Sequence, residues 1–202
     1  MRWVYRLTVA ALSASLIAAC GSGGDAGDRL TMQFLGFQSP GATQLDAVNQ
    51  TSAEVDVFQD VCTDLTIEPF QETNASALFM NNGASDINVD TIVVNIPNSG
   101  VPEFTRTISQ ILPGGRCSSP SGLICSFDSD CTSGLGQGTC SHIQSTLTFL
   151  LFDIDTKLRV SPGTYDVSIT FSGEDASNER FDVTTHMTVT FQDFCHCSAG
   201  CA

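Results

Sequence analysis

Apolar and polar residues alternate with a period of two along most of this chain, and that alternation decides which class of fold is open to it. Residues 53–57 (Ala-Glu-Val-Asp-Val) carry apolar side chains on one face and acids on the other, as a half-buried strand requires. Residues 87–96 are dominated by β-branched and apolar residues, which favours a central strand. No segment carries a convincing amphipathic helical period. The sequence therefore predicts an all-β protein of about nine strands at the spacing of a sandwich.

The remaining strands follow from the same period. We expect them at residues 30–34, 65–67, 75–80, 104–108, 146–152, 164–171 and 181–194. After residue 80, an Asn-Asn-Gly sequence offers the positive φ that a tight turn needs. Residues 113–141 break the alternation, because they are rich in glycine, serine and cysteine and have no apolar period. This segment is predicted to be an insertion between strands.

A Pro-Gly pair followed by a tyrosine gives the clearest indication of topology. Residues 158–169 are predicted to form a strand, a turn at Pro162 and Gly163, and a second strand that Tyr165 opens. Proline presets φ at the first turn position and glycine accepts positive φ at the second, which suits a type II turn. The arrangement resembles the tyrosine corner of immunoglobulin-like and fibronectin-III-like domains, where the tyrosine hydroxyl bonds to nearby backbone.

This resemblance covers residues 146–194 well and the earlier strands loosely. It implies an immunoglobulin-like β-sandwich over residues 29–194, with a disulfide-rich loop inserted at residues 113–141. The chain departs from antibody domains, because it has no tryptophan after Trp3 and its cysteine spacing does not provide the inter-sheet pair. The resemblance therefore implies a generic sandwich and gives no reason to expect antigen-type loops.

The first twenty residues predict export. Arg2 and Arg6 form a short basic region, and residues 7–19 are almost wholly apolar. That stretch spans about 20 Å as a helix, short of the ~30 Å hydrocarbon core, so it suits a signal peptide better than a membrane span. Its Leu-Ile-Ala-Ala-Cys ending resembles the lipobox of bacterial lipoproteins. This resemblance implies cleavage before Cys20, a diacylglyceryl group on the Cys20 thiol and acylation of its new amine.

The leader also sets the expected organisation of the chain. We predict a signal peptide at residues 1–19, a lipidated flexible tether at 20–28, the sandwich at 29–194 and a cysteine-rich tail at 195–202. Gly21 and Ser22 follow Cys20, and neither position is an aspartate. In a two-membrane bacterium this resemblance implies sorting to the outer membrane. We expect the protein in the cell envelope, facing the periplasm or the cell surface.

Eight cysteines remain once Cys20 is reserved for lipid, and an even number in an exported chain predicts up to four disulfides. The candidates are Cys62, Cys117, Cys125, Cys131, Cys140, Cys195, Cys197 and Cys201. Four of them lie in the insertion, where three pairings are open. If those four pair among themselves, Cys62 would join the tail and close a very long loop.

Two groups of residues suggest metal binding as an alternative function. Asp128 and Asp130 lie in a Cys-x-x-Asp-x-Asp-Cys core that resembles short cysteine-rich motifs of bacterial surface proteins, and their carboxylates would suit Ca²⁺. We favour solvated loop acids, because the other oxygen ligands of a calcium loop are missing. The segment from Cys195 through His196 to Cys201 would suit zinc, but export oxidises thiols and adjacent ligands strain a tetrahedral site. We predict disulfides there, with no metal and no cofactor.

Catalysis has no recognisable motif in this sequence: there is no Gly-x-Ser-x-Gly, no His-Glu-x-x-His and no phosphate-binding loop. His142 adjoins the insertion and His186 lies on the polar face of the last strand, and neither has an identified nucleophile. We predict that the protein is not an enzyme. A hydrolase without a known motif is the remaining alternative, and it would require a buried pocket with converging polar groups.

Charge narrows the choice of partner. Loss of Arg2 and Arg6 with the leader leaves six basic residues against 22 acidic ones, a net charge of −16. Such a charge repels nucleic acid and anionic lipid, and it favours solubility or a basic partner. The sequence thus predicts a non-enzymatic interaction or structural module. Its expected partners are the membrane, through the Cys20 lipid anchor, and a protein that would contact the disulfide loop.

Overall fold

The computed structural model describes residues 31–38, 52–119, 121–133, 136–197 and 200, so the leader, Cys20 and Cys201 lie outside the described residues. Within these ranges the chain forms thirteen strands: β1 (Met32–Gln38), β2 (Ser52–Asp56), β3 (Thr73–Asn81), β4 (Ile87–Asn95), β5 (Phe104–Leu112), β6 (Gly115–Cys117), β7 (Ile124–Cys125), β8 (Thr132–Ser133), β9 (Gly136–Gln137), β10 (Cys140–Ser141), β11 (Gln144–Phe152), β12 (Gly163–Asp175) and β13 (Arg180–Gln192). The helical elements are a short 3-10 helix, Asp128–Cys131, and one α-helix, α1 (Ile154–Arg159).

Eight of the strands build two sheets. One sheet has the order β1-β3-β11 and the other the order β2-β13-β12-β4-β5. Neighbouring strands are antiparallel except for β2, which runs parallel to the last strand, β13. The first two strands are thus divided between the sheets, and β3 and β4 cross from one sheet to the other. This topology is an immunoglobulin-like β-sandwich, and it confirms the predicted fold class.

Phenylalanines from both sheets fill the space between them. Phe79 on the three-stranded sheet meets Phe171 on the five-stranded sheet with ring centroids 4.9 Å apart. Phe152 and Phe191 make a second contact between the sheets, at 5.1 Å. All four side chains are fully buried. Offset and edge-on aromatic pairs stabilise such a core beyond the area that they bury. The core therefore follows from the alternation, which directs every second side chain of a strand inward.

The tyrosine corner is present. The hydroxyl of Tyr165 donates a hydrogen bond of 2.8 Å to the backbone oxygen of Ser161, four residues before it. Gly163 opens β12 with a φ of 157°, far from the φ of about +80° in a type II turn, so the predicted turn type was wrong. A side chain at Gly163 would crowd the ring and hydroxyl of Tyr165 at 3.3–3.4 Å, which explains the glycine.

Three local predictions were wrong. The segment before Pro162 is the helix α1 and not a strand, because the Asp153 side chain accepts a hydrogen bond of 2.7 Å from the Thr156 amide and caps the helix. Residues 65–67 form a single bridge, Val61 to Ile67, in place of a strand. The Asn-Asn-Gly sequence is not a positive-φ hairpin turn. It leads from one sheet to the other, and the buried side-chain amide of Asn81 donates hydrogen bonds to the backbone oxygens of Ser85 and Leu112.

The strands define two ends of the sandwich. We call the end at which the chain enters β1 the entry end, and there the Asn82 amide donates to the Thr31 oxygen at 2.7 Å. The insertion joins the same end, since the Gly115 amide donates to the Gly83 oxygen at 2.9 Å. We call the opposite end the tail end, because β13 ends there and residues 193–197 follow it. Helix α1 and residues 57–72 also lie there, beside the start of β3.

Candidate functional site

The insertion is a small crosslinked unit with a sheet of its own, ordered β10-β6-β7. Disulfides Cys117–Cys131 and Cys125–Cys140 overlap along the chain, so each closes a loop that contains one partner of the other. The sulfurs of Cys117, Cys125 and Cys131 lie within 4.8 Å of one another, but each is in a disulfide and has no thiolate to offer a metal. Of the three pairings open to the sequence, the structure has this one.

Asp128 and Asp130 hold the insertion together. Asp130 accepts hydrogen bonds from the amides of Ser126 (2.8 Å) and Phe127 (3.0 Å). Asp128 accepts one from the amide of Cys140 at 2.7 Å. These carboxylates therefore satisfy backbone donors that a loop with few apolar residues would otherwise expose to water. Both acids are exposed, as expected of solvated loop acids, and each also binds backbone amides within the insertion.

The insertion is also fixed to the body of the sandwich. The Arg116 guanidinium meets Asp86 at 2.6 Å, and Asp86 also accepts from the Gly114 amide at 2.9 Å. That backbone bond, followed by Arg116, lowers the pKa of Asp86. The ring of His142 lies 2.8 Å from the Asn81 oxygen through Nδ1. The insertion and the entry end therefore form one continuous surface.

The tail is tied to the residues that follow β2. Cys62 and Cys197 form a disulfide across 135 residues of sequence, and Cys195 is disulfide-bonded as well. The buried Glu68 carboxylate accepts hydrogen bonds from the His196 amide and from the Asp60 amide, and these bonds lower its pKa in that order of importance. Neither Cys195 nor Cys197 is available as a zinc ligand. The long-range closure predicted for Cys62 is present.

The histidines do not assemble a catalytic pair within the described ranges. His142 faces the Asn81 oxygen and the disulfide sulfur of Cys140, at 2.8 and 3.6 Å. His186 pairs with Asp166 at 3.3 Å on the open face of the five-stranded sheet, where both side chains are more than half exposed. A histidine that acts as a catalytic base needs a nucleophile within hydrogen-bond reach and shelter from water. The contacts of these two residues provide neither.

A cleft of about 340 Å³ opens at the tail end, between β2, the start of β3, α1 and the tail. It is lined by Glu54, Val55, Asp56, Pro69, Gln71, Glu72, Thr73, Lys157 and His196. Three carboxylates therefore face one ammonium and one imidazole. With the imidazole neutral, the charge of this lining is −2, which favours a cationic group.

Lys157 and Asp56 are the two buried charges of the cleft. The Lys157 ammonium donates to the Gln71 oxygen at 2.7 Å and lies 4.3 Å from the centre of the Phe70 ring. Burial lowers the pKa of Lys157, and the negative charge of Asp56 opposes that shift. Asp56 Oδ1 accepts from the Phe58 amide at 3.1 Å, while Oδ2 is buried and has no hydrogen-bond partner. A buried carboxylate oxygen without a donor is unusual, and the positive charge of Lys157 compensates the buried Asp56 charge.

This cleft was not predicted from the sequence. Strict alternation placed Asp56 on the solvent face of its strand, but the tail covers it, and the Phe194 amide lies 3.4 Å from its Oδ1. Lys157 is buried because its segment is helical, which alternation did not predict. An aspartate directly before an apolar segment is a helix N-cap signal, and Asp153 before Ile154 could have indicated the start of α1.

No helix within the described ranges is long and apolar enough to cross a bilayer. No protein-family model matches the sequence, and no curated protein matches it either. Among solved structures, the ASH/PapD-like domain of human CEP192 (PapD-like domain 7) is similar over 89% of this chain and 97% of that one, with 13% sequence identity and a TM-score of 0.29. A score this low leaves the fold assignment to the strand topology of the chain itself.

Proposed function

We propose that this protein is a lipid-anchored, non-enzymatic interaction module of a bacterial envelope, held by acyl chains on Cys20. The observation that supports the proposal most directly is the state of the cysteines. All seven in the described part of the chain are in disulfides, which suits an oxidising compartment outside the cytoplasm. Cys20 alone follows a lipobox-like leader, and acylation there would give stable anchoring, since each buried CH₂ contributes about 0.8 kcal/mol.

The cleft at the tail end is the surface that we assign to a protein partner. The tether would join the sandwich at the entry end, so the cleft would face away from the membrane. The exposed carboxylates of Glu54 and Glu72 suit a lysine or arginine side chain, in keeping with the net charge of −16 after the leader is removed. A contact made by a few charged groups in a small cleft would give specificity more than affinity.

Fractionation of the native host tests the anchor. We expect the wild-type protein in the membrane fraction after a high-salt wash and the Cys20→Ser variant in the soluble envelope fraction, because salt does not release acyl chains. Equal distribution of the two variants would contradict lipid anchoring.

Zero-length carbodiimide crosslinking in the host tests the cleft, because this reagent joins a carboxylate directly to a neighbouring lysine. We expect crosslinks to a basic protein at Glu54 and Glu72, lost in the Glu54→Lys/Glu72→Lys variant. The matched control is Glu179→Lys/Asp182→Lys, which also reverses two exposed acids and lies near the entry end. Crosslinks that persist in the cleft variant or disappear in the control would contradict this assignment.

A further inference from the structure

The insertion leaves several large apolar side chains partly exposed to solvent. Leu123, Ile124 and Phe127 are 51%, 60% and 41% exposed and lie within five residues of one another. Ile111 and Ile143, at the base of the insertion, are also more than half exposed. The two disulfides and the bonds to Asp128 and Asp130 hold this backbone in place. The side chains therefore cannot withdraw by local collapse, and an exposed apolar group of this size indicates a contact surface.

The position of the tether indicates what covers them. Ten residues, or eleven Cα–Cα steps, separate Cys20 from Thr31, and they are rich in glycine. Thr31 contacts Asn82 and Gly83 at the entry end. A flexible chain of this length has a root-mean-square span of about 18 Å and a fully extended limit of about 40 Å. The entry end is thus kept within a short distance of any bilayer that holds the acyl chains of Cys20.

The opposite orientation is disfavoured by length. The nine residues of β3 span about 30 Å between the two ends of the sandwich. If the tail end faced the lipid, the tether would have to run back along the whole body, close to its extended limit. That would remove most of its conformational freedom, whereas the entry-end orientation leaves the tether slack.

We infer that the apolar side chains of the insertion, Leu123, Ile124 and Phe127, enter the interfacial layer of the bilayer and make a second membrane contact beside the lipid anchor. This inference rests on the proposed acylation of Cys20. Entry of these side chains into the bilayer is driven by apolar burial and not by charge, because the chain is strongly acidic. The contact fixes the orientation of the sandwich, with the cleft directed away from the membrane.

Tryptophan fluorescence tests the contact in the mature, lipidated protein. The only tryptophan of the sequence is Trp3, which leaves with the leader, so a Phe127→Trp variant carries a single reporter at the insertion. Phe58→Trp is the matched control, since Phe58 lies toward the tail end with a similar exposure, 45% against 41%. Each variant is purified from host membranes and reconstituted into phosphatidylcholine vesicles with brominated acyl chains, which quench tryptophan on contact.

We expect several-fold stronger quenching and a blue-shifted emission for Phe127→Trp relative to Phe58→Trp. Adding Leu123→Glu and Ile124→Glu to the Phe127→Trp variant should abolish the quenching while the protein stays with the vesicles. Replacing part of the phosphatidylcholine with anionic lipid should weaken the quenching, because the chain is strongly acidic.

Three results would overturn the inference, and they can be told apart. Vesicle-bound, acylated protein with equal quenching at both positions would remove the second contact but leave the anchor. Emission of Phe127→Trp that shifts only on addition of host envelope proteins would identify a protein as the occupant. Recovery of a protein without acyl chains, measured by intact mass, would remove the anchor and the contact together.

Discussion

Removal of the Cys62–Cys197 disulfide is the perturbation whose size follows most directly from the structure. The bond closes a loop with a sequence separation of 135, whereas the two disulfides of the insertion have separations of 14 and 15. In the chain-entropy model the long loop lowers the entropy of the unfolded chain by about 17 cal/mol/K, which is about 5 kcal/mol at 25 °C. The same relation gives about 3 kcal/mol for each of the short loops.

The test compares double alanine variants, so that no unpaired thiol remains to scramble. We expect Cys62→Ala/Cys197→Ala to lower the free energy of unfolding by about 5 kcal/mol, and Cys117→Ala/Cys131→Ala to lower it by about 3 kcal/mol. For a domain of this size, about 5 kcal/mol corresponds to a fall in Tm of about 10–20 °C in differential scanning calorimetry. Alanine is chosen because Cys62 and Cys117 are buried, where a serine hydroxyl would lack a partner.

Two further measurements refine the comparison. Peptide mapping without reduction must show that the other disulfides of each variant are unchanged. Crosslinking of Glu54 and Glu72 to the partner should weaken only in the Cys62→Ala/Cys197→Ala variant, because the tail that forms one wall of the cleft is then released. A long-loop variant that loses less than the short-loop variant would refute the argument that loop length sets these contributions.

Three more predictions follow from single contacts. Tyr165→Phe should lower the free energy of unfolding by about 1 kcal/mol in urea titrations, because it removes the corner hydrogen bond and leaves the ring; no change would mean that the hydroxyl contributes nothing. The pKa of Asp153 is lowered from 3.8 to about 2, first by the hydrogen bond from the Thr156 side chain. The contribution of Asp153 to stability is therefore complete above pH 3.8 and disappears as the pH falls toward 2. Asp153→Asn should therefore reduce the dependence of the urea midpoint on pH between 4 and 2, and an unchanged acid limb would contradict the assignment. Neither Ca²⁺ nor EDTA should move the Tm, because Asp128 and Asp130 bind backbone amides; a shift of several degrees would reinstate a calcium site.

Alternation was sufficient to predict the sandwich, because side chains on a strand point to opposite faces whatever lies around them. It failed where a distant segment changes the environment. Asp56 occupies a solvent position by sequence, but the tail, more than 130 residues later, covers it and donates the Phe194 amide. No local pattern carries that information.

The helix α1 shows a second reason why the sequence alone did not predict the structure. Six residues are too few to display a helical period, and the Asp153 cap is held by Arg106, which lies 47 residues earlier on β5. The disulfide pairing of the insertion shows a third, because spacing leaves three pairings open and only the fold selects one. The cleft depends on both the tail and α1. It was therefore beyond prediction, although the tyrosine corner and the link from Cys62 to the tail were not.

Intact mass spectrometry of the protein extracted from the membranes of its own host tests the central claim of export and lipid anchoring most directly. The expected mass is that of a chain beginning at Cys20, increased by acyl groups on its thiol and amine and with every other cysteine oxidised. A chain that retains residues 1–19, or one that begins at Cys20 without acyl groups, would contradict the account.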